Sequence, residues 1–148
     1  MIVLALRAAD EPGLAGLAAK ESPGFDLGEE HRRGESRVHV ATVGPGLPAV
    51  AYSIERRVAD EVELLALATE PTARRQGAAR ALLSDLLRRA RDTGATRVTL
   101  EVRSANAAAR ALYAGFGFRQ FHVRRGYYRT TGEVALELER RFDGHGPE

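Results

Sequence analysis

No cysteine and no tryptophan occur among the 148 residues, and Lys20 is the single lysine. Without cysteine there is no disulfide, no thiolate metal site and no cysteine nucleophile, so a group transfer on this chain has to pass directly between two substrates or use another side chain. Long apolar runs are also missing. None approaches the ~20 residues that span a bilayer. The opening Met1-Ile2-Val3-Leu4-Ala5-Leu6-Arg7 has neither the charged leader nor the small-residue cleavage site of a signal peptide, so it reads as a first strand and the expected location is cytoplasmic, with no membrane partner. The four histidines, His31, His39, His122 and His145, have no H-x-x-x-H spacing, and no metal is expected. Neither a P-loop nor a G-x-G-x-x-G after a strand is present. Net charge is only +2, and the arginines lack the interleaved aromatics of a nucleic-acid surface, which argues against a nucleic-acid partner.

What is present is an ordinary globular composition, 44% apolar and 28% charged, of a length suited to one domain over residues 1–148. Ile2 to Leu6 reads as a strand, and Asp10-Glu11-Pro12 as the cap and first turn of a helix to about Lys20. The polar stretch Glu21 to Glu35 has room for a short helix at Leu27 to Arg33. Val38 and Val40, then Ala49 to Val58, form a hairpin around Gly44-Pro45-Gly46-Leu47-Pro48, and Val62 to Thr69 gives a third strand. From about Thr72 to Asp92, Ala79, Leu82, Leu83, Leu86, Leu87 and Ala90 recur at helical spacing, and Gly94 stops the helix. Arg97 to Arg103 alternates as a strand, Asn106 caps a helix to about Phe116, and Phe118 to Arg125 and Glu133 to Arg141 are strands joined by a loop from Gly126 to Gly132. Residues 143–148 read as a frayed tail.

Two stretches have the residue types for chemistry. Thr69-Glu70-Pro71-Thr72-Ala73-Arg74-Arg75-Gln76-Gly77-Ala78-Ala79-Arg80 leads from a strand into the strong helix. A helix start offers amides without intrahelical acceptors and a partial positive charge. Small side chains at Gly77, Ala78 and Ala79 leave those amides accessible to an anion, and Arg74, Arg75 and Arg80 add charge-assisted donors. The same residues also suit a plain amphipathic helix with exposed arginines. The second stretch runs from Leu100-Glu101-Val102-Arg103 through Asn106 and Leu112-Tyr113 to Gly117-Phe118. Glu101 lies between apolar neighbours, where partial burial would raise its pKa and make it a better base, or it is a solvated carboxylate paired with Arg97 or Arg103. Tyr113 shares a helical face with Ala109, Leu112 and Phe116 and reads equally as a core aromatic.

Together the two stretches resemble the acyl-CoA motif of the GNAT acetyltransferase superfamily and the motif that follows it. The resemblance is carried by Arg74-x-x-Gly77-x-Ala79 and by Leu100-Glu101-Val102-Arg103, Asn106, Ala109, Leu112-Tyr113 and Gly117-Phe118. The segment Leu64 to Phe118, continued through Arg124-Arg125-Gly126-Tyr127-Tyr128, is similar to the ribosomal-protein-alanine N-acetyltransferase (RimI-like) branch, and the likeness covers more than half the chain. It implies an α/β fold with a mixed, mostly antiparallel sheet splayed at the middle strands and helices on both faces. It implies acetyl-CoA as co-substrate, with Leu67, Ala68 and Thr69 along the pantetheine arm and Arg74, Arg75, Gln76, Gly77, Ala78, Ala79 and Arg80 around the diphosphate. Asn106 would touch the cofactor, Glu101 would be the general base, Tyr113 the general acid, and Tyr127 and Tyr128 the acceptor-contacting loop. Two regions depart from the branch: Ser22-Pro23-Gly24-Phe25-Asp26 replaces a tryptophan-containing loop, and Glu133-Val134-Ala135 has one acid fewer before the last strand.

The expected activity is therefore acetyl transfer to a primary amine, with a protein or peptide N-terminus such as that of a ribosomal protein as acceptor. A small-molecule amine or a lysine is the enzymatic alternative, and an acyl-CoA-binding module without catalysis is the alternative from another class.

Overall fold

The computed structural model describes the backbone of residues 1–128 and 133–142 and the side chains of 1–124 and 134–142. Its elements are β1 (Ile2–Ala5), α1 (Glu11–Glu21), α2 (Leu27–Arg33), β2 (Ser36–Thr42), β3 (Ala49–Val58), β4 (Glu61–Thr69), α3 (Ala78–Asp92), β5 (Arg97–Arg103), α4 (Ala107–Gly115), β6 (Arg119–Tyr128) and β7 (Glu133–Arg141), with short 3-10 turns at Ala8–Asp10 and Pro71–Ala73. The seven strands form one sheet in the order β1-β2-β3-β4-β5-β7-β6. Chain contacts divide it into two compact units, Met1–Arg57 with Leu64–Leu86 and Val58–Glu63 with Leu87–Glu148. Among the described residues no helix is long and apolar enough to cross a membrane.

In the first unit, β1 and β2 pair antiparallel and β2 pairs antiparallel with β3, with a register irregularity at Ala41/Thr42. Alternation along these strands feeds two apolar layers. Val38, Val40, Tyr52 and Ile54 point to one face and pack with Leu14, Leu17 and Ala18 of α1 and Leu27 of α2. Ala41 and Ala51 point to the other and meet Ala78 and Leu82 of α3, where alanines let the helix approach closely. Tyr52 is fully buried, and its hydroxyl is joined to Ser22 Oγ at 2.6 Å, so the polar tip of this core aromatic is satisfied. Asp26 caps α2 by accepting from the Glu29 amide. Asp10 behaves differently from the cap expected of it. Its carboxylate turns back to accept from the Arg7 backbone amide and guanidinium, so it closes the preceding 3-10 turn and gives α1 no side-chain cap. Those hydrogen bonds from Arg7 hold its pKa below the ordinary carboxylate value.

The second unit is built on β5-β7-β6, both ladders antiparallel. Val98, Leu100 and Val102 of β5 and Leu136 and Leu138 of β7 are buried, with Leu100 opposite Leu138 and Val102 opposite Leu136. Helix α4 covers this face, leaving a shallow cleft lined by Ala111, Ala114, Phe118, Gln120, Leu136 and Leu138. β6 runs on to Tyr128 rather than ending at Arg125, so the connection to β7 is shorter than the loop expected from Gly126. At the other end of β5, Arg97 donates to Glu61 Oε1 at 2.8 Å and to Glu139 Oε2 at 2.6 Å. Its guanidinium also stacks over the Phe121 ring, 5.0 Å from the centroid. Three strands are thus held by one planar cation.

Arg97 and Glu139 are only 23% and 11% exposed, so removing the cation strands a shielded carboxylate. Arg97→Met should cost about 2 kcal/mol in chemical denaturation, with Arg97→Lys intermediate because the ammonium has no planar fork. Equal stability of all three proteins would show that Arg97 is not a structural clamp.

Candidate active site

In the first unit the strand-to-helix turn is built differently from the long helix read in the sequence. Pro71–Ala73 is a separate 3-10 turn, Arg74 is extended, and α3 begins only at Ala78. The reason is backbone conformation, since Arg75 has φ 66° and Gly77 φ 88°, both in the left-handed region that a right-handed helix cannot contain. Gly77 is the residue whose carbonyl accepts the first intrahelical bond, from Ala81 at 2.9 Å, and it has no side chain with which to cap. The amides of Ala78 and Ala79 therefore open the helix without intrahelical acceptors. A Cβ built on Gly77 meets nothing within 4 Å, so the glycine is required by its φ and open space lies beside it. Arg75, Gln76 and Arg80 are exposed around this turn and Ala79 is half-buried, whereas Ala78 is buried beneath it. Arg74 is partly engaged already, its guanidinium lying 3.7 Å from Glu21 Oε1. On β4, Leu67 and Thr69 are half-buried and Ala68 is buried, on alternate faces of the strand; Leu67 packs with the α3 layer and Ala68 with the α1 layer. Arg75 is not glycine, and holding it left-handed costs about 1 kcal/mol, a cost that collects at functional turns.

In the second unit Asn106 is the N-cap of α4, its side-chain oxygen accepting from the Ala109 amide at 3.1 Å. That leaves its NH₂ group for another partner. Tyr113 is buried, edge-on to Phe118 at 5.7 Å between centroids. Burial pushes its phenol up to about 12. Complete proton transfer from such a phenol to a thiolate of ordinary pKa near 8.5 costs about 5 kcal/mol, far more than from a phenol near 10. The group is suited to donating a hydrogen bond rather than to surrendering its proton early.

Glu101 departs from its sequence readings in its partner. It lies on the face of β5 opposite Leu100 and Val102 with its side chain 32% exposed, and its carboxylate is paired with Arg124 of β6 rather than with Arg97 or Arg103. Arg97 is committed elsewhere, to Glu61 and Glu139. Ala111 and Ala114 of α4 line a cleft with Leu136 and Leu138, on the face of the ladder opposite Glu101. Arg124 stands in the sequence only within the stretch that continues the resemblance, and its pairing was not legible there because it depends on a cross-strand register that local spacing does not encode. The side chains of Tyr127 and Tyr128 lie outside the described residues. Among the described residues there is no group of three or more His, Cys, Asp or Glu placed to hold a metal.

Residues 24–118 match the Acetyltransferase (GNAT) family, and this chain belongs to that family. It is 44% identical over 81 residues to ribosomal protein bS18-alanine N-acetyltransferase of Escherichia coli K12, covering 55% of each chain. It is 41% identical over 80 residues to the N-alpha-acetyltransferase RimI of Mycobacterium tuberculosis, covering 54% of this chain and 49% of that one. In both alignments this chain spans about half the relative's length. Over the whole fold it resembles the crystal structure of the Escherichia coli ribosomal-protein-S18-alanine N-acetyltransferase, with a TM-score of 0.79 at 30% identity, covering 99% of this chain and 97% of that one. The mixed, mostly antiparallel seven-stranded sheet with its helices is thus the GNAT fold expected from the sequence.

The expectation that the Arg74–Arg80 turn seats a diphosphate is tested by a matched pair, Gly77→Ala and Gly77→Glu. Both put a side chain on left-handed backbone and should lose similar stability, about 1 kcal/mol. The carboxylate alone should repel the anion and weaken acetyl-CoA binding by about 2 kcal/mol, roughly 30-fold, in calorimetry. Wild-type affinity in Gly77→Glu would remove the site from this turn.

Proposed function

We propose that this chain is an acetyl-CoA-dependent N-acetyltransferase that acetylates the α-amino group of a protein N-terminus. The observation that carries the reading is the turn at Arg75–Gly77: a glycine N-cap beside open space, with exposed arginines around it, at the start of a fifteen-residue helix. Such a terminus suits a diphosphate without further machinery. Arg75, Gln76, Gly77, Ala78, Ala79 and Arg80 would hold that group, with Arg74 exchanging its Glu21 contact for it. Leu67, Ala68 and Thr69 would run beside the pantetheine arm, and the Asn106 amide would reach the cofactor. The thioester supplies an electrophilic carbonyl and a thiolate leaving group.

On the acceptor side, Glu101 would take one proton from the ammonium, directly or through water, leaving a neutral amine to attack. Tyr113 would donate its hydrogen bond to the departing sulfur. The acceptor follows from proton energetics together with the names of the relatives, which describe alanine and α-amine acetylation. An α-amine titrates near 7.7–8.0 and a lysine near 10.4, so the α-amine is about 3.4 kcal/mol easier to deprotonate at neutral pH. One exposed carboxylate suffices more readily for the former. Tyr127 and Tyr128 would contact the first residues of the peptide.

A peptide with a free N-terminal alanine should be acetylated with a kcat/KM at least about tenfold above that of the same peptide blocked at its N-terminus and carrying an internal lysine. Mass spectrometry of the products decides this. A better lysine peptide or polyamine would replace the acceptor, and binding of acetyl-CoA with no acetylated amine in a broad panel would leave a binding module.

Tyr113 supplies a second prediction, on pH. With its phenol near 12 in the free protein, it stays protonated throughout the working range. Tyr113→Phe should lower kcat by about 10-fold or more while the kcat/KM profile keeps its shape up to pH about 10. Loss of a basic limb in the variant would mean that Tyr113 titrates in the free enzyme and acts as a full acid.

A further inference from the structure

The exposed face of the β5-β7-β6 ladder bears two carboxylates set directly against each other. Glu101 of β5 is opposite Glu137 of β7, and Glu137 is in turn opposite His122 of β6. Like charges directly opposite on neighbouring strands repel, and each of these two carboxylates has a partner of its own on β6. His122 Nε2 stands 3.9 Å from Glu137 Oε2, while the Arg124 guanidinium is ion-paired with Glu101.

The Arg124 contact skips a strand. Arg124 is registered against Ala135 of β7, and Ala135 against Arg103 of β5, so the guanidinium has to cross β7 to reach a carboxylate one pleat along on the third strand. It can do so because the residue it crosses is an alanine, fully buried and presenting only a methyl group. The pair is half exposed, 47% at Arg124 and 32% at Glu101, an environment in which an ion pair contributes little to folding stability. What such a contact does contribute is geometry. A planar guanidinium fixes a carboxylate in one orientation.

We propose that Arg124 is the positioning residue of the acceptor site: it holds Glu101 as an oriented carboxylate until the acceptor's ammonium takes over that contact. The inference rests on the reading of Glu101 as the base. In the step it serves, the ammonium gives one proton to a Glu101 oxygen, yielding a neutral amine and a carboxylic acid, while Arg124 keeps its charge throughout.

The test is a cycle of Arg124→Gln, Arg124→Lys, Glu101→Gln and the Arg124→Gln/Glu101→Gln double variant, assayed with an N-terminal-alanine peptide and acetyl-CoA. Arg124→Gln should lower kcat about tenfold with the KM for acetyl-CoA and the melting temperature unchanged, and Arg124→Lys should recover part of the loss. In the Glu101→Gln background the same Arg124→Gln change should have no further effect, because its target is gone. An active wild type whose Arg124→Gln variant keeps full kcat, or one in which the two losses simply multiply, overturns this inference alone. A wild type that acetylates no amine overturns it together with the reading on which it rests.

Discussion

Arg97 fixes the start of β5 by binding Glu61 and Glu139 at once, and the residues further along that strand depend on the register it sets. Side chains alternate strictly, so a slip of one residue between β5 and β7 would carry Leu100 and Val102 into water and turn Glu101 into the layer beneath α4. The clamp is electrostatic but it is not a surface decoration. Its acidic partner on β7 is shielded, and the geometry is that of a fork with two carboxylates, the arrangement in which arginine outperforms lysine. With the register held, Glu101, Glu137 and His122 line up across three strands on the open face, while the apolar residues of β5 and β7 meet α4 on the other.

A second constraint acts in the other unit, where a helix must follow a strand and yet present its first amides outward. Pro71 starts the turn, but it is the left-handed backbone at Arg75 and Gly77 that ends one direction and begins another. Ala78, Ala41 and Ala51 then bring α3 close onto the sheet through methyl groups alone. The two devices are different in kind. One is a strained turn whose backbone amides form the proposed anion site; the other is a regular strand that holds side chains at a fixed spacing.

Most of the elements were legible in the sequence because their hydrophobic periods are clean. β5 ends where its alternation ends, and Asn106 caps α4 as its type suggests. The start of α3 was not legible. Thr72 to Gly77 contains good helix formers, and nothing local announces that Arg75 adopts a positive φ. Asp10 was misread for a related reason: its residue type fits an N-cap, but a nearby guanidinium outcompetes the α1 amides for its oxygens. Within the candidate site, residue identities were legible and environments were not. Glu101 reads as a carboxylate that Arg97 or Arg103 on its own strand could pair, yet its partner comes from a strand more than twenty positions away. Tyr113 reads as a buried aromatic and is one; that its burial also lifts its pKa is a property of packing.

In the proposed function, cofactor holding and proton removal fall to different devices, the turn before α3 and the carboxylate on β5. Glu101→Gln tests it most directly, with acetyl-CoA affinity measured by calorimetry and turnover measured on the N-terminal-alanine peptide. The account predicts affinity within about twofold of wild type and turnover lower by about 10² to 10⁴. Turnover near the wild-type value, or affinity falling in step with turnover, would contradict it.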